Sequence, residues 1–384
     1  MQRRKRMLWT AVGTVLVASL AVGISVATAS KRGTAVSPLQ KACGSKIVVQ
    51  TDWFPEPEHG FLYQLAGTNG TVDKDHGRYT GTIKGTGVQL EIRAGGPFTG
   101  FQQPISQMYQ DPSITLGYAT SDEEVQLAKK LPLVSVVAPD EFSPQILMWN
   151  PQKFPNVHKF VDIAAANAPV LVFAGGVWVD YLVARGWVSK SQVDTSYDGS
   201  PARFAATDGA IFQQGFVTSE PYQYQHLVTA YDKPVSYLLI KNAGYVPYPQ
   251  TLAVRQADLK KLAPCLKLFV PLVQKAQVAY VTKPLPVNTK LDQIVTTLNT
   301  FWKLSPGGDA FNTAAQLKYG VVANGPDCTL GNFNMKRLQG VINGILPIFK
   351  ANGLDTINPD LKAQNIATNQ FIDPSIHLKT KKCK

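Results

Sequence analysis

The sequence predicts an α/β protein of two lobes, and three observations carry that expectation. Short apolar runs alternate with segments of helical spacing, the mark of strand–helix units. The alternation comes in two successive sets, followed by a mostly helical final third. No internal repeat of solenoid period competes with this reading. The first set opens with KIVVQTD from Lys46, a strand that runs into Trp53 and Phe54. Pro55 and Pro57 forbid regular pairing just beyond it. From Glu58 the spacing becomes helical, with Phe61, Leu62, Leu65 and Ala66 at three- and four-residue steps. Residues 51–67, TDWFPEPEHGFLYQLAG, therefore read as strand end, stiff aromatic-acidic loop and helix start. Open α/β sheets bind small ligands at such junctions.

The polar, glycine-rich stretch 68–87 reads as a hairpin or long loop. Its Asp73, Asp75 and His76 lack the closing Glu of a calcium loop, so they read as a solvated turn. VQLEIR (88–93) alternates as a strand and leads to Gly95-Gly96-Pro97 and a helix over 101–109. ITLGYA (114–119) is a short apolar strand, followed by Ser121-Asp122-Glu123-Glu124 as a capped helix start. Residues 131–138 form another buried strand, and this first sheet is expected to be largely parallel and covered on both faces. In the second set, 145–149, 170–173, 215–218, 235–240 and 251–254 read as strands, with a helix over 177–185 in which Trp178 packs into the core. From Leu259 the chain reads as mostly helical to Asn299, as it does over 311–318 and 335–350, with Pro169, Pro249 and Pro264 bounding segments. Tyr245, Tyr248 and Pro249 are placed at a crossover between lobes. The expected division is 1–29 exported segment, 30–45 linker, 46–141 first lobe, 142–244 second lobe, and 245–384 returning to the first.

Arg3, Arg4, Lys5 and Arg6 precede an uncharged run from residue 7 to residue 29 that closes on Ala27-Thr28-Ala29. A cleaved signal peptide and an uncleaved anchor both fit, because the run is longer than a usual signal core of roughly 7–15 residues and reaches the ~20 of a spanning helix. Either way the chain is expected outside the cytoplasm, secreted or at the cell surface. The net charge is +12, and removal of residues 1–29 leaves 34 Lys and Arg against 26 Asp and Glu. The positive groups are scattered, with one short cluster at 379–384, and no nucleic-acid motif accompanies them. A soluble monomer near an anionic cell surface is the expectation. Cys43, Cys265, Cys328 and Cys383 have no metal-ligand spacing. Four cysteines in an exported chain favour two disulfides, with three pairings possible. The places of Cys43 and Cys383 at the two ends favour their pairing, leaving Cys265 with Cys328.

TDWFPEPEHGFLYQLAG, IRAGGP, LGYATSDE, SPQILMW and GFVTSEPYQYQ, in that order, resemble solute-binding proteins of ABC importers. The group is the one handling nitrate, alkanesulfonates and thiamine-pyrimidine precursors, with the thiamine-precursor branch nearest, and the similarity runs over roughly residues 46–345. The resemblance implies a type II periplasmic-binding-protein fold, two α/β lobes that close on a ligand, and a membrane permease that receives the closed form. It implies ligand contacts from Trp53 and Phe54 with Glu58 and His59 beside them, from Gly95-Gly96 and Tyr118, and from Glu220 and Tyr222. Phe61 departs from the pattern, standing where a second glycine is common. The cysteine-rich motif of fungal pyrimidine synthases on this fold is missing, which counts against that activity.

Residue chemistry supports a ligand role beside the resemblance. A planar nitrogen heterocycle stacks on Trp53 and Tyr222 and meets Glu58 and Glu220 as charge-assisted acceptors. Each residue also has a plain structural reading: Trp53 as a core cap, Glu58 as a helix-terminus acid, His59 as a buried histidine without a metal-spaced partner. No GxSxG elbow, HExxH helix, P-loop or dinucleotide loop occurs, and no cofactor or metal is expected. Three functions stay open at this point: a transport receptor for a heterocycle or for nitrate, sulfonate or taurine; an enzyme on the same fold; and a surface sensor or adhesin.

Overall fold

The computed structural model describes residues 36–383. The expected signal or anchor, 1–29, lies outside the described residues. The described chain holds two β-sheets, each clothed with helices. Strands of the first sheet are β1 (Lys46–Gln50), β2 (Thr71–Asp73), β3 (Arg78–Thr82), β4 (Gln89–Arg93), β5 (Leu116–Ala119) and β6 (Leu133–Val137). The second sheet contains β7 (Gln145–Trp149), β8 (Val170–Leu171), β9 (Val193–Asp194), β10 (Phe212–Phe216) and β11 (Ser236–Leu239). The last strand, β12 (Thr251–Arg255), returns to the first sheet. The orders are β2-β3-β4-β1-β5-β12-β6 and β11-β7-β10-β8-β9.

The expectation of a largely parallel first sheet is corrected: both sheets are mixed. β1 runs parallel to β4 and β5, but the β2–β3 hairpin adds antiparallel pairs, and β12 enters antiparallel between β5 and β6. The cause is the path of the chain. It crosses to the second sheet through 138–144 and comes back through 240–250, so the returning strand arrives in the opposite sense. The unbroken runs LVSVV of β6 and QILMW of β7 are buried along their whole length, β6 although it stands at the edge of its sheet.

Helix Gly60–Ala66 buries Phe61, Leu62, Tyr63 and Ala66. They pack in one core with Ile47, Val49 and Leu90 of the first sheet and with Leu266, Phe269, Val270 and Val273 of helix Leu259–Thr282. Pro264 does not bound a segment but lies inside this helix, as does Pro271. Interior prolines cost ~3 kcal/mol or more each in an isolated helix; here the apolar face buried against the sheet outweighs them. A second core joins Trp149, Val172, Trp178 and Phe212 with Leu338, Ile342, Ile345 and Phe349 of helix Met335–Ala351. The helical final third thus serves both sheets.

The disulfides are Cys43–Cys265 and Cys328–Cys383, which corrects the expected pairing. Helix Pro38–Cys43 ends against helix Leu259–Thr282, with Leu39 and Cys265 in one core. The C-terminal segment is held on the loop that carries Cys328. Asn324 donates to the Leu378 carbonyl at 2.7 Å, and the Leu330 N–H donates to Ile376 O at 3.0 Å. Each terminus is therefore fastened locally. Among the described residues no helix is long and apolar enough to cross a membrane.

Candidate functional site

A cavity of about 510 Å³ opens between the two sheets. Its walls are the loops that follow the parallel strands β1, β4 and β5 on one side and β8 and β9 on the other. Ligands gather at such carboxyl ends because strands point their terminal loops into one crevice. Trp53 stands where both walls meet. A Cβ built on Gly96 would lie 3.0 Å from its ring, and one built on Gly199, on the opposite wall, 2.9 Å from it. Both glycines have positive φ, +57° and +84°, so no other residue gives this approach without strain. Phe173, Trp302 and Phe101 surround the same indole, with ring centroids at 5.7, 5.9 and 6.1 Å.

Of the residues expected from sequence, Trp53, Glu58, Gly96, Tyr118 and Glu220 line the cavity. Four others stand behind or beside it. Phe54 is fully buried and stacks on Trp302 at 5.9 Å, so it backs the wall rather than forming it. Gly95 holds the turn through its N–H to Trp53 O at 2.9 Å. His59 is 0% exposed; its Nε2 contacts Asp52 Oδ1 at 3.0 Å, and its ring meets Tyr118 edge-on at 5.0 Å. Tyr222 is not part of the lining. It packs on His226 and Phe311, at 4.6 and 5.6 Å, on another face of its helix. Trp178, expected only in the core, is in the core and also touches the cavity.

The electrostatics are one-sided. Asp52, Glu56, Glu58, Asp122 and Glu123 line the first wall, Asp198 and Glu220 the second, and among the described lining residues none is lysine or arginine. Several of these acids are held by neutral donors. Asn312 donates to Glu58 at 2.8 Å, the Phe216 N–H to Glu220 at 2.7 Å, and Gln103 to Glu123 at 2.9 Å. Tyr245 donates to Asp122. For Asp52 burial opposes the charge, but the hydrogen bond and charge of His59 and the Gln250 amide outweigh it, and the carboxyl stays below its ordinary value. Glu56 goes the other way: burial, then repulsion from Glu58, Asp52, Glu220 and Asp140, pushes it well above. Burial lifts Glu220 to about 7 against the pull of the Phe216 N–H, and lifts Glu123 to about 8 with help from Asp122 and Asp52. Asp140, on the first crossing, is 1% exposed with neither oxygen partnered, and burial followed by Glu58 and Asp52 raises it strongly.

Sequence reasoning missed Glu56, Trp302, Phe173 and Gln250. Glu56 lies within the stretch 51–67 and shares its Pro-x-Pro frame; Phe173 ends the expected strand 170–173, whose apolar run reports burial but not a cavity, and Gln250 and Trp302 lie in connectors without a periodic signal.

No family model and no curated protein matches the chain by sequence. Its fold is that of periplasmic binding proteins. The alkanesulfonate-binding protein of Xanthomonas axonopodis pv. citri bound to MOPS is 13% identical, with a TM-score of 0.54 over 84% of this chain and 99% of that one. The periplasmic aliphatic sulphonate-binding protein of Escherichia coli is 14% identical, with a TM-score of 0.54 over 88% of this chain and 94% of that one. At these identities the likeness is one of fold. With its cavity at the carboxyl ends of the strands, the chain has the two-sheet α/β fold of periplasmic binding proteins.

Proposed function

We propose that this protein is an extracytoplasmic solute-binding receptor of an ABC importer, which captures a small aromatic nitrogen heterocycle by closing two lobes on it. Residues 46–141 and 142–244 are the lobes in this reading, 245–384 completes them, and the crossings 138–144 and 240–250 act as hinges. The single observation that supports it most is the cavity itself, placed between the sheets and walled by Trp53, Phe173 and Trp302. Such rings gain both buried area and stacking, about 0.5–1.5 kcal/mol per aromatic pair beyond area. Closure follows from differential affinity, since only the closed state touches the solute from both walls. The closed form would then dock on a membrane permease, with the protein acting as a monomer and without a cofactor.

The sulfonate ligands of the structural neighbours do not transfer well to walls that offer an anion carboxylates. Thermal melts against thiamine, riboflavin, aminopyrimidines, taurine and nitrate test the reading, because a solute bound only by the native state raises stability by mass action. A shift with one heterocycle and no turnover is the expected result. Chemical conversion of the bound compound would replace the receptor with an enzyme, and the absence of any shift would favour a surface sensor or adhesin.

A further inference from the structure

We infer that the solute is an organic cation: a flat, nitrogen-bearing body whose positive end enters the carboxylate basin formed by Glu56, Glu58 and Glu220. This rests on the receptor reading above and adds the sign of the charge to it.

Three independent observations converge. The first is composition against trend. The chain has 38 Lys and Arg for 26 Asp and Glu, yet among the described residues the cavity is lined by seven acids and by no lysine or arginine. A random sampling of this basic surface would do the reverse. The basin is built from both walls, Glu56 and Glu58 from the loop after β1, Glu220 from the first turn of helix Glu220–His226. Among the described residues the basic side chain paired with Glu56 is the His59 imidazole, at 3.4 Å, and it is already engaged by Asp52.

The second observation is a polar atom left without a partner. Tyr118 lines the cavity, is 1% exposed, and its hydroxyl has no hydrogen-bond partner. Burying a hydroxyl unpaired is costly, because the hydrogen bond it gave up to water is not replaced. Burial first, then the charges of Asp52, Asp140 and Glu56, disfavour a phenolate there. A donor N–H from a cationic solute would satisfy the oxygen's lone pair and face the acids at once.

The third is the apolar half of the same space. Trp53 and Trp302 present ring faces and edges around the cavity, and indoles are the strongest cation–π partners among the aromatic side chains. A bare metal ion does not explain the rings, and among the described residues no cluster of His, Cys, Asp and Glu could hold one. An inorganic cation would leave most of the 510 Å³ empty.

Titration calorimetry of the full chain at pH 7.4 tests the sign of the charge with shape-matched probes. N-methylquinolinium, N-methyl-2-quinolone and naphthalene-1-sulfonate share two fused rings and differ in charge; benzamidine and benzamide form a second pair. The expected result is that each cation binds at least tenfold more tightly than its neutral counterpart, with no binding of the sulfonate. Glu56→Gln and Glu58→Gln should each shrink that ratio at least threefold. Tyr118→Phe should weaken benzamidine, which has N–H groups to donate, and leave N-methylquinolinium unchanged. Equal or tighter binding of the quinolone or the sulfonate overturns the inference while leaving a receptor in place. Failure of every cation up to millimolar concentration also overturns it, and the wider solute panel then decides the receptor reading separately. Stabilisation by magnesium or calcium chloride alone, with no response to the organic cations, overturns it as well.

Discussion

The two walls of the cavity are built from different materials. The first, from the loops after β1 and β5, supplies five carboxylates together with Trp53 and Tyr118. The second supplies Phe173, Tyr197 and the small-residue run Ala174-Gly175-Gly176, with Asp198 and Glu220 as its acids. In the reading proposed above, the first wall, with five of the seven acids, does most of the charge reading; the second, apart from Asp198 and Glu220, is mainly a cover of backbone and rings. The difference matters because the walls belong to two sheets joined by only two crossings. A receptor that recognises on one side and covers on the other can hold a solute before it closes, and closing then adds affinity rather than creating it.

The largest way to break this arrangement is to loosen the crossings. Arg337, from helix Met335–Ala351, donates to Glu141 Oε1 at 2.6 Å and to the Glu141 carbonyl at 2.9 Å. Its guanidinium also lies 3.7 Å from the ring centre of Tyr248 on the other crossing. Both charged groups are largely buried, so Arg337→Ala leaves Glu141 without its counter-charge. A loss of about 3–5 kcal/mol is expected, the usual result of breaking a buried pair from one side. Urea unfolding measures it, and a loss under about 1 kcal/mol would show that the clamp is ornamental. Next in size is Trp53→Ala. Removing the indole at the junction of the walls should cost about 2–4 kcal/mol of solute binding and leave the melting temperature within a few degrees of the parent. A variant that merely unfolds would make Trp53 a core residue.

How far the sequence disclosed these walls can be argued residue by residue. The helix Gly60–Ala66 and the strands β1, β7 and β12 were legible because their apolar spacing reports burial directly. Trp53 was legible as an aromatic before a proline-stiffened loop. Tyr222 was misplaced although Glu220, two residues earlier, was not. Helical residues turn by about 100° each, so two steps carry the side chain to the far face, where Phe311 meets it. The stretch 259–299, expected to be mostly helical, is two helices that meet at Lys283 and Pro284. The disulfide pairing was hidden for another reason: nothing in cysteine order says which helix a terminus leans on. Trp302 had no local signal, since a connector residue acquires its role only when the chain returns to the loop after β1.

A smaller effect tests the buried acid of the second wall. Glu220 is lifted by burial to about 7 from an ordinary 4.5. Its folded pKa is raised, so the folded state holds the proton more firmly than the unfolded chain. Stability from this group is complete below about 4.5, declines as pH rises, and is gone above about 7. Glu220→Gln removes that penalty while keeping an acceptor for the Phe216 N–H. The variant should be more stable than the parent by about 2 kcal/mol at pH 8, the titration penalty reduced by the weaker hydrogen bond of an amide. At pH 4 the two should coincide. Melting curves across this range check it, and a difference independent of pH would place the carboxyl in water rather than in the basin.

The smallest expected effect tests whether the second wall is a cover. Phe173 touches Trp53 at 5.7 Å and Tyr197 at 4.7 Å, so its ring continues the aromatic surface across the cleft. Phe173→Leu keeps an apolar side chain of similar bulk and deletes only the ring contacts. Solute affinity should fall by about 0.5–1.5 kcal/mol, the increment of an aromatic pair beyond its buried area. The preference for a cation over its neutral counterpart should stay unchanged, because the acids that set it stand on other loops. Calorimetry with N-methylquinolinium and N-methyl-2-quinolone separates the two outcomes. If the charge preference collapses along with affinity, recognition is shared between the walls, and the division into reader and cover fails.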